Sequence, residues 1–423
     1  MTRVRFDLLM LALLCMGATN AHAIEDDATG DASLPFSDRL LGDVGGLRTT
    51  LANDGVDVTL HYSGDVWDVV SGGKKRIATY LDYTELRANI DGEKLFGIAG
   101  NSMSIAFTNS NGTRTNGSTV GSIQGIDNSE VASNGVRLYE AWVQQNFLAD
   151  QISLRLGVQD LNVDSEFSAT PISDNFLQPG MQLGQSFAGS GRNGPPSFPY
   201  DSAGARVRVK PTDESYVAVA AYDGIPGEAG TVSGDPVRFD RKDGVLFVGE
   251  AGISPEAEGG GDGVNKLAVG VWHYTGGVPE QINPALEGTA EGVYALSSYR
   301  FYHDAQDRNL GAFLRGGAAA DATAETDWDL EAGLVANGFM PTRPDSEIGA
   351  GLALAHNGNA YMQAQDAAGT PARRLETAYE VYYRDKVAQG IVLQPDMQYI
   401  VHPGTDPQLD NAFVVGARLD VMF

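Results

Sequence analysis

The sequence is almost without cysteine. Its single cysteine, Cys15, lies in an apolar stretch near the N-terminus, so no disulfide can hold the rest of the chain together. Beyond that stretch there is no run of about 18 apolar residues, which leaves no segment suited to cross a membrane as a helix. Lysine is scarce, and 29 basic residues stand against 55 acidic ones. A polyanion of this kind does not favour nucleic acid. Nor is there a Pro/Ser linker or a charged tract long enough to divide the chain into domains. His61, His273, His303, His356 and His402 are scattered, with no pair at metal-ligand helical spacing. The Gly-rich "EGGGDG" at 258–263 lacks the Lys-Ser/Thr of a phosphate loop and reads as a turn. No Gly-x-Ser-x-Gly elbow occurs. Neither a cofactor nor an enzymatic activity is expected, although a hydrolase could bring Ser and His together from adjacent strands without a linear motif.

What is present is alternation. The segment "NAFVVGARLDVMF" places Phe413, Val415, Ala417, Leu419, Val421 and Phe423 on one face. Period two means an extended strand, because successive side chains point to opposite faces. Similar segments recur along the chain. "YLDYTELRANI" sets Thr84, Leu86, Ala88 and Ile90 against Tyr83, Glu85, Arg87 and Asn89. "QISLRLGVQD" sets Ile152, Leu154, Leu156 and Val158 against Ser153, Arg155, Gly157 and Gln159. "GARVRVK" and "ETAYEVYYRD" repeat the pattern, separated by turns rich in Gly, Asn and Asp.

Two architectures alternate in this way: a soluble β-sandwich and a membrane β-barrel. A sandwich shows its polar face to bulk water, where Lys dominates. Here Arg, Glu, Gln and Tyr fill that face, as a narrow aqueous lumen would use them. The N-terminus "MTRVRFDLLMLALLCMGATNAHA" has a basic start, a short apolar run and Ala21-His22-Ala23. This is the pattern of a secretory signal peptide over 1–23. An extension with a short helix is expected over 24–55, where Leu47 and Leu51 lie four apart before Asn53-Asp54-Gly55. A barrel is expected over 56–423. In hydrocarbon every backbone group must pair, so the last strand should close against the first. Phe423 should then be read by the barrel-assembly machinery.

Several blocks also resemble a known family. "RLLGDVGGLRTTLANDGVDVTLHYSGDVW", "GVRLYEAWVQQNF" with "LRLGVQDLNVDSEF", "NGFMPTRPDSEIGAGLALAH", and "ETAYEVYYRDKVAQGIVLQPDMQYIVHPG" with "VVGARLDVMF" are similar in order and spacing to the carbohydrate-selective porins of the OprB family. Val44 departs from the pattern, which usually has Trp there. The resemblance implies an all-β, transmembrane antiparallel barrel of about 16 strands with a short periplasmic helix at its N-terminus. It implies passive diffusion of small neutral sugars, glucose above all, into the periplasm of a bacterium. Outer-membrane lipid and lipopolysaccharide would surround it, and further copies of the chain could join it as a homo-oligomer. A general or anion-selective porin and a secreted β-sandwich sugar-binding protein are the alternatives.

A sugar needs hydrogen-bonding groups that replace its water, and flat apolar surface for its ring. Arg offers a rigid fork of donors and Glu accepts. By alternation the lumen face should carry Glu85, Arg87, Arg155, Arg206, Arg208, Glu380, Arg384 and Arg418, with Trp142 and Tyr382 as ring platforms. Glu85 and Arg87 on an early strand, with Glu380 and Arg384 on a late one, are expected to bracket the narrowest stretch. Glu140 lies beside Trp142 on a face the pattern leaves ambiguous. "NSNGTRTNGSTVGSIQGIDNS" and "GSGRNGPPSFPYDS" read as long outer loops.

Overall fold

The computed structural model describes residues 35–163, 166–227, 242–255 and 265–423. The expected signal peptide lies outside the described residues. Sixteen strands form one closed antiparallel sheet: β1 (Val56–Ser71), β2 (Ala78–Asp91), β3 (Asn101–Gly112), β4 (Gly135–Phe147), β5 (Ile152–Gln159), β6 (Ser202–Val209), β7 (Ser215–Asp223), β8 (Val245–Ile253), β9 (Lys266–Tyr274), β10 (Glu291–His303), β11 (Asn309–Ala319), β12 (Thr326–Asn337), β13 (Glu347–Asn357), β14 (Leu375–Ala388), β15 (Ile391–Val401) and β16 (Ala412–Met422). Each pairs with its neighbours in sequence, and β1 closes the ring against β16. At that seam His61 lies opposite Met422 and Asp65 opposite Arg418. Closure leaves no free edge, which a sheet in hydrocarbon requires. Among the described residues no helix is long and apolar enough to span a membrane.

The two faces of the wall divide as the alternation predicts. Leu86, Val219, Leu314 and Leu419 point outward and are exposed. Arg87, Arg315, Glu331 and Arg418 point inward and are buried. An Arg on the outer face would cost roughly 2–4 kcal/mol at the membrane midplane, so the register is strongly specified.

The short helix α1 (Leu47–Asn53) precedes β1. Seven residues are too few for a stable isolated helix, so the segment depends on its contacts with the seam. Arg39 pairs with Asp57 at 2.8 Å, Leu40 N donates to Met422 O at 2.7 Å, and Arg48 Nη2 donates to the Phe423 main-chain oxygen at 2.6 Å. Gly390, in the β14–β15 turn, has φ +67°, and a Cβ there would lie 2.2 Å from Leu40 N. Only glycine allows both the left-handed turn and that approach.

Two connections that contain most of the segments expected as outer loops (109–129 and 189–202) fold residues into the barrel, while Arg192 and Asn193 of the second segment stay exposed. These are the β3–β4 connection (113–134) and the β5–β6 connection (160–201). Val120, Ile126, Phe167, Phe176 and Phe187 in them are fully buried. The physical reason is the inner wall itself. On β7–β10 it carries apolar residues such as Tyr216, Leu246, Val248, Trp272 and Leu296. Phe187 stacks on Trp272 with centroids 4.5 Å apart. Burying a Phe side chain is worth about 1.5–3 kcal/mol, so the wall draws the loop inward. A second cluster joins Phe176 and Met181 to Phe313 and Tyr382. A third joins Val120, Ile126 and Leu177 to Trp67 and Val414.

Candidate functional site

A loop inside a barrel must find partners for its backbone N–H groups, since buried donors left unpaired are costly. Here the wall supplies carboxylates. Leu177 N and Gln178 N donate to Glu380 at 2.7 and 2.9 Å. Ile123 N and Gln124 N donate to Glu376 at 3.0 and 3.2 Å. Ser168 N donates to Glu250 at 2.9 Å and Ser186 N to Asp329 at 2.6 Å. Glu250 on β8, Asp329 on β12 and Glu380 on β14 thus fasten the 160–201 connection, and Glu376 on β14 fastens the 113–134 connection.

Among the described residues the loops leave a polar-lined cavity of about 730 Å³, wide enough for water, between themselves and the opposite wall, formed by β1, β2, β4 and β14–β16. Two charged clusters line it. In the first, Arg87 bridges Glu85 at 2.7 Å and Glu140. In the second, Arg418 holds Asp65 through two bonds of 2.8 and 3.0 Å and reaches Asp127 at 3.1 Å and Ser129 at 2.8 Å on the β3–β4 connection. Each cluster sets an Arg between acidic groups, so neither sign is left unopposed.

Rings line the same cavity. Phe198, half-buried, meets Tyr83 edge to face at 5.1 Å and Tyr139 at 5.7 Å. Asp160 fixes the arrangement: it accepts from Tyr139 Oη at 2.8 Å and Phe198 N at 3.0 Å. Burial pushes the Asp160 carboxyl up to about 6. Tyr139 reaches the lumen because β4 carries a bulge. Ala106 pairs with Glu140 while Phe107 pairs with Leu138, so Tyr139 is the extra residue. Both Tyr139 and Glu140 therefore face inward, which resolves the ambiguous face of Glu140.

Of the ten residues named from the sequence, Glu85, Arg87, Arg384 and Arg418 line this cavity. The other six lie elsewhere in the interior. Arg155 stacks over Trp142 at 4.5 Å and donates to Gln144 at 3.0 Å. Arg206 shares that Gln144 oxygen, also at 3.0 Å, and pairs with Glu166 at 2.7 Å. Arg208 lies over the Tyr216 ring at 4.4 Å. Glu380 is capped by the loop N–H groups, so it does not join Glu85, Arg87 and Arg384. Trp142 is buried and donates to Glu140 at 3.1 Å. Tyr382 is covered by Phe176 at 5.0 Å and donates to Glu347. Neither ring presents a free face to the cavity. Half-buried Phe198 and Tyr83 line it, with Tyr139 buried against Phe198; alternation places Tyr83 on the lumen face, but Phe198 and Tyr139 escape sequence reasoning. Phe198 stands in a Pro-rich segment that reads as surface loop, and Tyr139 is hidden by the bulge. An aromatic set among prolines in "PPSFPY" is the one available signal.

Comparison with known proteins bears on the fold and the family. Residues 75–423 match the family described as carbohydrate-selective porin, OprB family. Porin B of Pseudomonas aeruginosa is 25% identical over 455 residues, covering 98% of this chain and 96% of that protein. The high-pH structure of Pseudomonas putida OprB superposes with a TM-score of 0.81 at 23% identity, covering 92% of this chain and 99% of that one. The low-pH structure of the same protein covers the same shares with a TM-score of 0.60 at 22% identity.

Proposed function

The chain belongs to the OprB family of carbohydrate-selective porins and is a sugar porin of the bacterial outer membrane, and on that premise we propose that sugars cross it along the polar-lined cavity, in contact with Glu85, Arg87, Arg384 and Arg418. The observation that carries this reading is the cavity wall itself. Opposed Arg–carboxylate clusters stand beside half-buried rings. Such a wall offers donors and acceptors to hydroxyl groups, and its excess of carboxylates over Arg disfavours anions. Passage is passive diffusion with no catalytic step, and binding stays weak enough to release. Small neutral sugars such as glucose are the substrates. Strand β16 and Phe423 engage the assembly machinery, and lipopolysaccharide packs on the outer wall.

The test is swelling of liposomes that carry the purified protein. Glucose should enter faster than gluconate, which is of similar size and anionic. Equal rates would favour a general diffusion porin instead.

A further inference from the structure

The sugar-passage reading names charged groups but not what selects among neutral solutes. The cavity holds one feature suited to that. Phe198 sits on the inward 160–201 connection and lines this space together with Tyr83 and Tyr139. Its edge-to-face contacts, 85° to Tyr83 and 75° to Tyr139, fix the plane of the ring. Its N–H is tied to Asp160, and Asp160 in turn holds Tyr139. The ring is thus held from three sides and remains half-buried. Tyr83 also donates its hydroxyl to Glu85, which joins the ring set to the Arg87 cluster.

We propose that Phe198 is a specificity-determining residue that selects cyclic pyranoses with equatorial hydroxyls over acyclic polyols. The proposal rests on the sugar-passage reading above. A pyranose with equatorial hydroxyls carries axial C–H bonds on each ring face. That face is apolar and flat, and it can lie on an aromatic ring while the hydroxyls at its edge reach Glu85 and Arg87. An acyclic polyol of the same carbon number has the hydroxyls but no such face. Because the ring is fixed before the solute arrives, stacking costs little ordering on the protein side.

The experiment is single-channel block of the assembled protein by D-glucose and by D-glucitol. Wild type should bind glucose more tightly than glucitol. Phe198→Leu keeps apolar bulk but loses the flat face. It should weaken glucose block about three- to tenfold, the range typical of one aromatic contact, and leave glucitol block unchanged. Phe198→Tyr should restore the preference. Equal wild-type block by the two solutes, or an unchanged ratio in Phe198→Leu, overturns the proposal while sugar passage stands. A wild-type channel that admits neither solute overturns sugar passage and the stacking with it. Should Phe198→Leu fail to assemble, Phe198→Trp decides: its emission, taken as a difference from wild type, should change with glucose and not with glucitol. Emission indifferent to both overturns the proposal.

Discussion

The interior has two halves that differ in kind. Against β7–β10 the 160–201 connection makes a dry core, with Phe187 stacked on Trp272 and near-parallel to Tyr294 at 6.1 Å. Against β1, β2, β4 and β14–β16 the connections pack Leu177, Val120 and Ile126 on Trp67 and Val414 but also leave a polar cavity edged by Arg87 and Arg418. Both walls are inward faces of the same sheet, built by the same alternation. The difference teaches that facing the lumen and facing water are separate properties. The first follows from strand period. The second depends on what the loops cover. The dry half is the anchor that positions the loops, and the wet half is the path they leave.

The largest break of this division should come from the anchor. Phe187→Ala removes the ring stacked on Trp272, and a buried Phe→Ala change costs about 3–5 kcal/mol. Most of that falls on the loop, because the sixteen strand pairings are untouched. The barrel should still assemble, with raised single-channel conductance and weaker discrimination between neutral and charged solutes. Protease cleavage within 160–201 should rise in parallel.

A smaller loss is expected where a wall carboxylate caps the loop. Glu380 accepts from Leu177 N and Gln178 N through its two oxygens. Glu380→Gln leaves one acceptor and sets an amide donor against a backbone donor. About 1–3 kcal/mol is expected from one buried unpaired group. Conductance should rise less than in Phe187→Ala.

On the wet side, Asp160 makes the comparison pH-dependent. Its folded value near 6 lies above the ordinary carboxylate range because of burial. Between about pH 4 and 6 the folded chain holds this proton more firmly than the unfolded chain does. The contribution to stability is therefore full below pH 4, falls as pH rises to 6, and is flat above. Asp160→Asn keeps an acceptor for Tyr139 and Phe198 but cannot titrate, and it sets an amide donor against Asn162 N, which Asp160 accepts at 2.6 Å. That loss is common to both pH values, so thermal melts should place the variant closer to wild type at pH 7 than at pH 4.

The smallest stability effect should come from Arg384→Ala. Its guanidinium is one-third exposed and 3.9 Å from Asp420, and a partly exposed pair of this kind is worth about 0–1 kcal/mol. Heat resistance should barely change. Glucose block should weaken and ion preference should shift toward cations, because a positive charge leaves an acidic cavity. A block constant equal to that of wild type would remove Arg384 from the passage.

Much of this was legible in the sequence, for reasons that particular strands make plain. In "EVYYR" (380–384) and "ARLD" (417–420) the inward Glu380, Tyr382, Arg384, Arg418 and Asp420 alternate with Val381, Tyr383, Ala417 and Leu419, so the inward direction of Arg384 and Arg418 can be read directly. In "SYVAVAAYD" both faces are apolar. Alternation then marks a strand but cannot say that Tyr216, Ala218 and Tyr222 form a dry wall under a loop. Tyr139 was hidden because a bulge shifts the period by one residue. Phe198 was hidden because nothing local distinguishes a loop that turns inward from one that stays outside. The inward turn depends on acceptors such as Glu250, Asp329 and Glu380, which are distant in sequence.

The division of the lumen can be tested by cysteine accessibility, because Cys15 is the sole cysteine in the sequence. In a Cys15-free background, Glu85→Cys and Ala218→Cys place one thiol in the wet half and one in the dry half. A charged, water-soluble methanethiosulfonate reagent is added during single-channel recording. Glu85→Cys should react within seconds, with a stepwise fall in current. Ala218→Cys should stay unreacted and its current unchanged. Rapid modification and block at position 218, with none at 85, would contradict a path along β1, β2 and β14–β16.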